Sequence, residues 1–232
     1  MENHFVLDAE QVRREQISFI NRVYAWMGGA LLLTALVALV TASSPALLQL
    51  IFGSKILFYG LLFGELGLVW YLSSAIQRMS ATAATAWFLA YAFLNGLTLS
   101  FIFLLYTAAS LAGTFFVTAA TFGAMSVYGY YTKRDLTTWG NLLIMALIGL
   151  ILASVVNWFF NNETLYWITT YIGIIIFVGL VAYDTQKIKN MNIIGNEGTE
   201  EDHKEAIMGA LSLYLDFINL FLYLLRVLGR RK

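Results

Sequence analysis

Seven apolar runs, each long enough to cross a bilayer, leave this chain few choices of fold. They cover roughly 23–41, 56–76, 85–106, 112–131, 141–160, 166–185 and 206–228. A membrane-spanning helix needs about 17 to 25 such residues. In hydrocarbon each backbone N–H and C=O must find its partner within the protein, so only helices and closed barrels cross. Barrel strands are short and alternate in polarity; these runs do neither. The expectation is an all-α integral membrane protein with seven transmembrane helices. Composition agrees, with 59% hydrophobic and 12% charged residues, against about 25% charged in a soluble domain. The length of 232 residues suits one domain: a polar tail over 1–22, then the seven-helix domain over 23–232. The tail, "MENHFVLDAEQVRREQISFINR", lacks the basic start and early apolar run of a cleavable signal. It reads as a cytosolic segment with a short amphipathic helix on the membrane surface.

Basic residues in short loops set orientation. Arg13, Arg14 and Arg22 lie in the tail, and Arg78, Lys133, Arg134, Lys187, Lys189 and Lys204 in the second, fourth and sixth connections. The odd connections hold only Lys55. The N-terminus and the even connections are therefore expected in the cytosol. A full seventh crossing then places "RVLGRRK" outside, against the rule; the alternative is a last helix that re-enters the membrane. Six preceding helices favour the full crossing.

Several chemistries are excluded at once. There is no cysteine, so no disulfide and no thiolate nucleophile or ligand. The two histidines, His4 and His203, both sit in polar segments, which argues against a histidine metal site or triad. No GxxxxGK[ST] pattern implies ATP drive, and the scattered basic residues do not suggest nucleic-acid binding. The chain reads as neither an enzyme nor a holder of a resident cofactor.

Polar residues inside the spans are the informative ones. A charge at the bilayer centre costs about 2.5–3.5 kcal/mol on insertion scales, so such groups face the bundle interior and mark function. Glu65 lies in the second run, Asp184 at the cytosolic end of the sixth, and Asp216 in the seventh, "GALSLYLDFINLFLYLL". Around Asp216 a stripe of Gly209, Ser212, Asn219, Tyr223 and Arg226 keeps helical spacing. Asp216 is about ten residues, roughly 15 Å, into its helix, so it can meet Asp184 in depth if the two helices adjoin. The bland alternatives are a simple interhelical hydrogen bond for Asp216 and an interfacial ion pair with Lys187 or Lys189 for Asp184. Gly60, Gly64 and Gly67 flank Glu65, which suggests close approach of another helix. Asn95, Thr98, Thr118 and Thr121 read as interhelical cross-links.

"GLVAYDTQKI" followed by "ALSLYLDFINLFLYLLRVLG" resembles the C-terminal signature of the Bax inhibitor-1 family, also called the transmembrane Bax inhibitor motif family. "ELGLVWYLSSAIQRMS", "AYAFLNGLTLSFIF" and "TFGAMSVYGYYTKRDLTTWG" support it, and the resemblance covers nearly all of the chain after residue 20. It points to bacterial members and so to the inner (plasma) membrane. It implies seven helices with the last one central and surrounded by the other six, and a pH-sensitive calcium (cation) leak. In that picture Asp184 and Asp216 form the proton-sharing, pH-sensing pair, Arg78 latches the closed state, and Glu65 and Asn219 belong to the pore. Asp184 and Asp216 are also the expected weak, transient calcium ligands; calcium is cargo, not a cofactor, and the lipid bilayer is the constant partner. The alternative function is an interaction protein that modulates a membrane-bound protease through "MENHFVLDAEQVRREQ". An intramembrane hydrolase with paired aspartates is disfavoured, because "AYDT" and "YLDF" lack the GxGD pattern of membrane aspartyl proteases.

Overall fold

The structure is a computed structural model and describes residues 9–232. Nine α-helices and one 3-10 turn are found among them, with no strand beyond an isolated bridge. They are α1 (Ala9–Ala42), α2 (Pro45–Gly53), α3 (Lys55–Ala75), α4 (Ala81–Leu99), α5 (Ile102–Leu105), α6 (Ala108–Tyr131), α7 (Thr137–Phe160), α8 (Glu163–Met191) and α9 (Glu200–Leu228), with the 3-10 turn Ile76–Arg78 closing α3. Seven segments are long and apolar enough to span a membrane, one in each expected place.

The helix limits follow from local chemistry. Ser44, Ser54, Ser80 and Thr107 accept a backbone N–H three residues on and open α2, α3, α4 and α6. Pro45 occupies the first position of α2, where its missing N–H is no loss. Asn161 ends α7 in the left-handed region (φ 49°), and its neighbour Asn162 starts α8 by accepting the Leu165 N–H at 2.9 Å. The third span is broken, not continuous as its apolar run suggests: α4 stops at Leu99 and α5 resumes at Ile102. The Ser100 hydroxyl donates to Leu97 O at 2.7 Å and the Thr98 hydroxyl lies 3.1 Å from Asn95 O. The Ser100 hydroxyl thus competes for a carbonyl the helix ladder would use.

The first span also differs from its sequence outline. α1 is one helix of 34 residues, so residues 9–22 of the expected tail continue the span; residues 1–8 lie outside the described residues. The reason is packing: Glu15, Phe19 and Ile20 are buried, which an isolated surface helix would not provide.

The chain forms two compact units: residues up to Ser100 with Ile188–Leu211, and Phe101–Lys187 with Ser212–Lys232. In the first, α1 packs on α4, and α4 on α3. Gly96 makes the α1–α4 approach possible: a Cβ there would lie 2.7 Å from the Val37 Cβ and 2.8 Å from Thr34 O. The Thr34 hydroxyl bonds Ala92 O at 2.8 Å across the same seam. α9 enters this unit through Gly209, which rests on Val23 and Ile188. In the second unit a buried cluster of Leu150, Ile176, Phe177, Leu180 and Leu220 joins α7, α8 and α9, and Phe217 of α9 packs against Phe115 and Phe122 of α6. α9 is the most buried of the seven spans, 61% of its most apolar window against 6% for α7. Large apolar side chains on α3 and α7, such as Phe63, Trp70, Met145 and Phe159, are exposed, as lipid-facing surfaces must be.

The chain end is tied to the end of the third span. Within the second unit Arg231 bridges Tyr106, the Thr107 N–H donates to Arg230 O and the Lys232 N–H to Leu105 O. Tyr106 follows the third span, and three spans separate it from the α8–α9 connection. With each of those spans crossing, the return of α9 to Tyr106 agrees with the expected full crossing.

Candidate functional site

The two aspartates of the seventh and sixth spans come together in the second unit. Asp216 is 4% exposed on α9, and Asp184 is partly buried near the end of α8. Their carboxyl groups face each other within side-chain hydrogen-bonding reach. The Asp216 Oδ2 is buried and makes no hydrogen bond. Small residues bring the neighbouring helices close. A Cβ on Gly129 of α6 would meet Ala182 O of α8 at 2.2 Å, and one on Gly140 of α7 would meet the Tyr183 ring at 2.3 Å. Thr185, next to Asp184, is buried and lies 3.4 Å from the Ser126 hydroxyl of α6. Lys187, one turn on from Asp184, lies within electrostatic range of it and reaches over the Tyr183 ring at 6.0 Å. Two carboxyls so placed can hold one proton between them.

The rest of the α9 stripe is resolved residue by residue. The Asn219 amide is spent on Leu215 O, 2.8 Å away in its own helix. Tyr223 stacks on Phe177 with ring centroids 5.8 Å apart, over Gly173, which has no side chain to obstruct it. Arg226 is exposed and lies over Tyr166 and Tyr223, 5.4 and 4.8 Å from the ring centroids. The lower half of the stripe is thus an aromatic and cation–π stack.

Glu65 occupies a separate place in the first unit. It is 8% exposed; Oε1 accepts the Thr98 hydroxyl at 2.8 Å and Oε2 the Asn95 amide at 3.2 Å. Asn95 and Thr98 therefore link α4 to α3, as expected, and the partner is the buried Glu65. Thr118 and Thr121 do not cross-link: each donates to a carbonyl one turn back in α6. The expected role of Gly60, Gly64 and Gly67 is also overturned, since no atom lies within 4 Å of a Cβ built on any of them. They lie on exposed positions of α3, away from α4. Arg78 is exposed in the 3-10 turn of the first unit and forms no ion pair among the described residues. No group of three or more His, Asp or Glu converges as for a tightly held metal among the described residues.

The amino-terminal part of α1 carries polar contacts that the reading of a free tail hid. Glu15 Oε1 accepts the Gly195 N–H at 2.8 Å, Ser18 donates to Glu197 at 2.7 Å, and Arg22 pairs with Asp202 at 2.7 Å. Trp26 meets His203 edge-on, with ring centroids 5.7 Å apart. Spacings of 3, 4 and 4 put these four residues on one helix face, the same signal that exposed the α9 stripe.

Comparison with known proteins places this geometry. A family model described as inhibitor of apoptosis-promoting Bax1 matches residues 16–232. The inner membrane protein YbhL of Escherichia coli K12 is 55% identical over 216 residues, 93% of this chain and 92% of the relative. An uncharacterized protein of Borreliella burgdorferi is 43% identical over 230 residues, 98% and 99% of the two chains. An uncharacterized membrane protein of Streptococcus pyogenes serotype M3 is 36% identical over 232 residues, 99% of each.

Proposed function

The chain belongs to the Bax inhibitor family of membrane proteins, and we propose that it is a pH-responsive cation leak of the inner membrane, with calcium as cargo. The observation that carries this reading is the facing of Asp184 and Asp216 inside a membrane-spanning bundle. Two carboxylates in contact cannot both ionise cheaply. While one proton is shared, the pair holds α8 and α9 together; when it leaves, like charges face each other and the contact opens. Lys187 is the nearby cation that can partner Asp184 in the ionised state. Calcium favours six to eight oxygen ligands, and two carboxylates with water offer fewer. That suits a passing ion, which must leave as readily as it enters.

The test is calcium flux into proteoliposomes between about pH 6 and pH 8, comparing the native chain with Asp184→Asn and Asp216→Asn. Native flux should change with pH, and both variants should lose that dependence. A pH profile unchanged in either variant removes the sensor role. The latch role that family resemblance gives Arg78 predicts that Arg78→Gln raises flux in the resting state. A purified protein that passes no calcium at any pH would replace the leak with the interaction reading. The exposed face of α1 at Arg13, Arg14 and Ile17 would then be the surface to alter.

A further inference from the structure

In the first unit a cleft of about 780 Å³ opens between α1, α4 and the start of α9. It is a size that takes small ligands. Along α4 its wall changes in character: Thr82 and Thr85 come first, then Ala86 and Leu89, about 12 Å from Ala81 to Leu89. Glu200, Thr199 and His203 of the α9 end form the rim, and Trp26 of α1 closes one side. The cleft lies where the third and seventh spans begin, the level at which an amphipathic ring such as Trp26 is favoured.

Polar groups in the cleft are not equally available. The Thr85 hydroxyl lies 2.9 Å from Ala81 O and 3.1 Å from His203 Nε2, so both groups already have partners. Glu200 gives Oε1 to the Ala81 N–H at 2.8 Å. Its Oε2 remains, and Glu200 forms no ion pair among the described residues. No Lys or Arg lines the cleft. The amino end of α4 opens here, where a negative group is tolerated; that of α9 already carries Glu200, Glu201 and Asp202.

We propose that this cleft binds an aminophospholipid from the bilayer, its primary ammonium on Glu200 Oε2 and Thr82, its phosphate toward the amino end of α4, and its hydrocarbon along Ala86 and Leu89. Charge and polarity favour this occupant together: one free carboxylate for an ammonium, and an apolar wall running toward the membrane interior. The inference is independent of the leak reading, because none of these residues belongs to the aspartate pair.

Native mass spectrometry of the full chain in detergent, with equimolar phosphatidylethanolamine, phosphatidylcholine and phosphatidylglycerol, is the test. Phosphatidylethanolamine should be retained severalfold over phosphatidylglycerol. Phosphatidylcholine, which keeps the charge but lacks N–H donors, should fall between. Glu200→Gln keeps an acceptor for the Ala81 N–H while removing the charge, and should bring phosphatidylethanolamine down to the phosphatidylglycerol level. Thr82→Val, at an exposed position, should weaken the preference in part, and Glu163→Gln, an acid at another connection, should leave it intact. Equal retention of the three lipids, or a preference unchanged in Glu200→Gln, overturns the proposal. Free ethanolamine that displaces phosphatidylethanolamine at millimolar concentration would overturn the lipid assignment in favour of a soluble amine.

Discussion

Glu65 has both oxygens assigned, one to Thr98 and one to Asn95, so the carboxyl is held by donors and not by a counter-charge. Removing one donor leaves a buried acceptor short of a partner, which costs about 1–3 kcal/mol. Thr98→Val should therefore lower the thermal midpoint in detergent, and Thr98→Ser should largely restore it. Asp135, outside the spans, makes a different case. The Thr137 hydroxyl and then its N–H, 2.9 Å from Oδ1, hold the Asp135 carboxyl below the ordinary carboxylate range. A lowered value in the folded state means the contribution is present above the unfolded value near about 4 and lost as pH falls through the folded one. Amide exchange in the first turn of α7, corrected for its intrinsic pH dependence, should accelerate over that acid range, and Asp135→Asn should abolish the acid step.

At the scale of elements, the face of α1 made by Glu15, Ser18, Arg22 and Trp26 acts as a clasp on the connection that joins the two aspartate helices. Asp202 is 1% exposed while Arg22 is about a third exposed. Arg22→Ala would strand a buried carboxylate, a loss of about 3 kcal/mol, the lower end for a broken buried pair. Hydrogen exchange over residues 192–199 should rise with it, whereas Arg14→Ala on the exposed face should leave that segment unchanged. Helix seams are equally specific. Gly129→Ala puts a methyl against the Ala182 backbone carbonyl, which cannot swing aside as a side chain can, so the loss should exceed the usual 1–3 kcal/mol of overpacking. Gly60→Ala, facing open space, should be neutral or slightly stabilising. These contrasts show what a single sequence reveals. Seven spans and the common depth of Asp184 and Asp216 were legible because hydropathy and 3.6-residue spacing are local signals; the pairing of the two aspartates came only from the family resemblance. Which glycine faces a helix, the break at Ser100, and the clasp were not, because each depends on the rotation of one helix against another. Residues 15–22 looked like a tail because Glu15, Ser18 and Arg22 make polar contacts on the same stretch as the buried Phe19 and Ile20.

At the scale of the whole molecule, the expected sidedness puts the even connections in the cytosol and Arg230, Arg231 and Lys232 on the other face. Their contacts account for the exception: Lys232 Nζ donates to Phe103 O at 2.7 Å, and the Arg230 N–H to the Ser110 hydroxyl at 2.9 Å. The first meets a carbonyl left over near the end of the third span, where a cation is welcome; the second ties the backbone to the start of α6. The basic end is thus held by bonds, and six earlier crossings fix its side. The absence of cysteine makes the arrangement directly measurable with single substitutions. In sealed inverted vesicles, where the cytosolic face is outward, Lys133→Cys should react with an impermeant maleimide, and Lys55→Cys and Lys232→Cys should react only after permeabilisation. Labelling of Lys232→Cys with Lys133→Cys would mean that α9 turns back, and the bridge between Tyr106 and Arg231 would then have to be absent in the membrane. Labelling of Lys55→Cys and Lys232→Cys but not of Lys133→Cys in sealed vesicles would invert the whole chain. It would put the Asp184 end of α8 and the clasp on the periplasmic side, so the aspartate pair would sense external and not cytosolic pH.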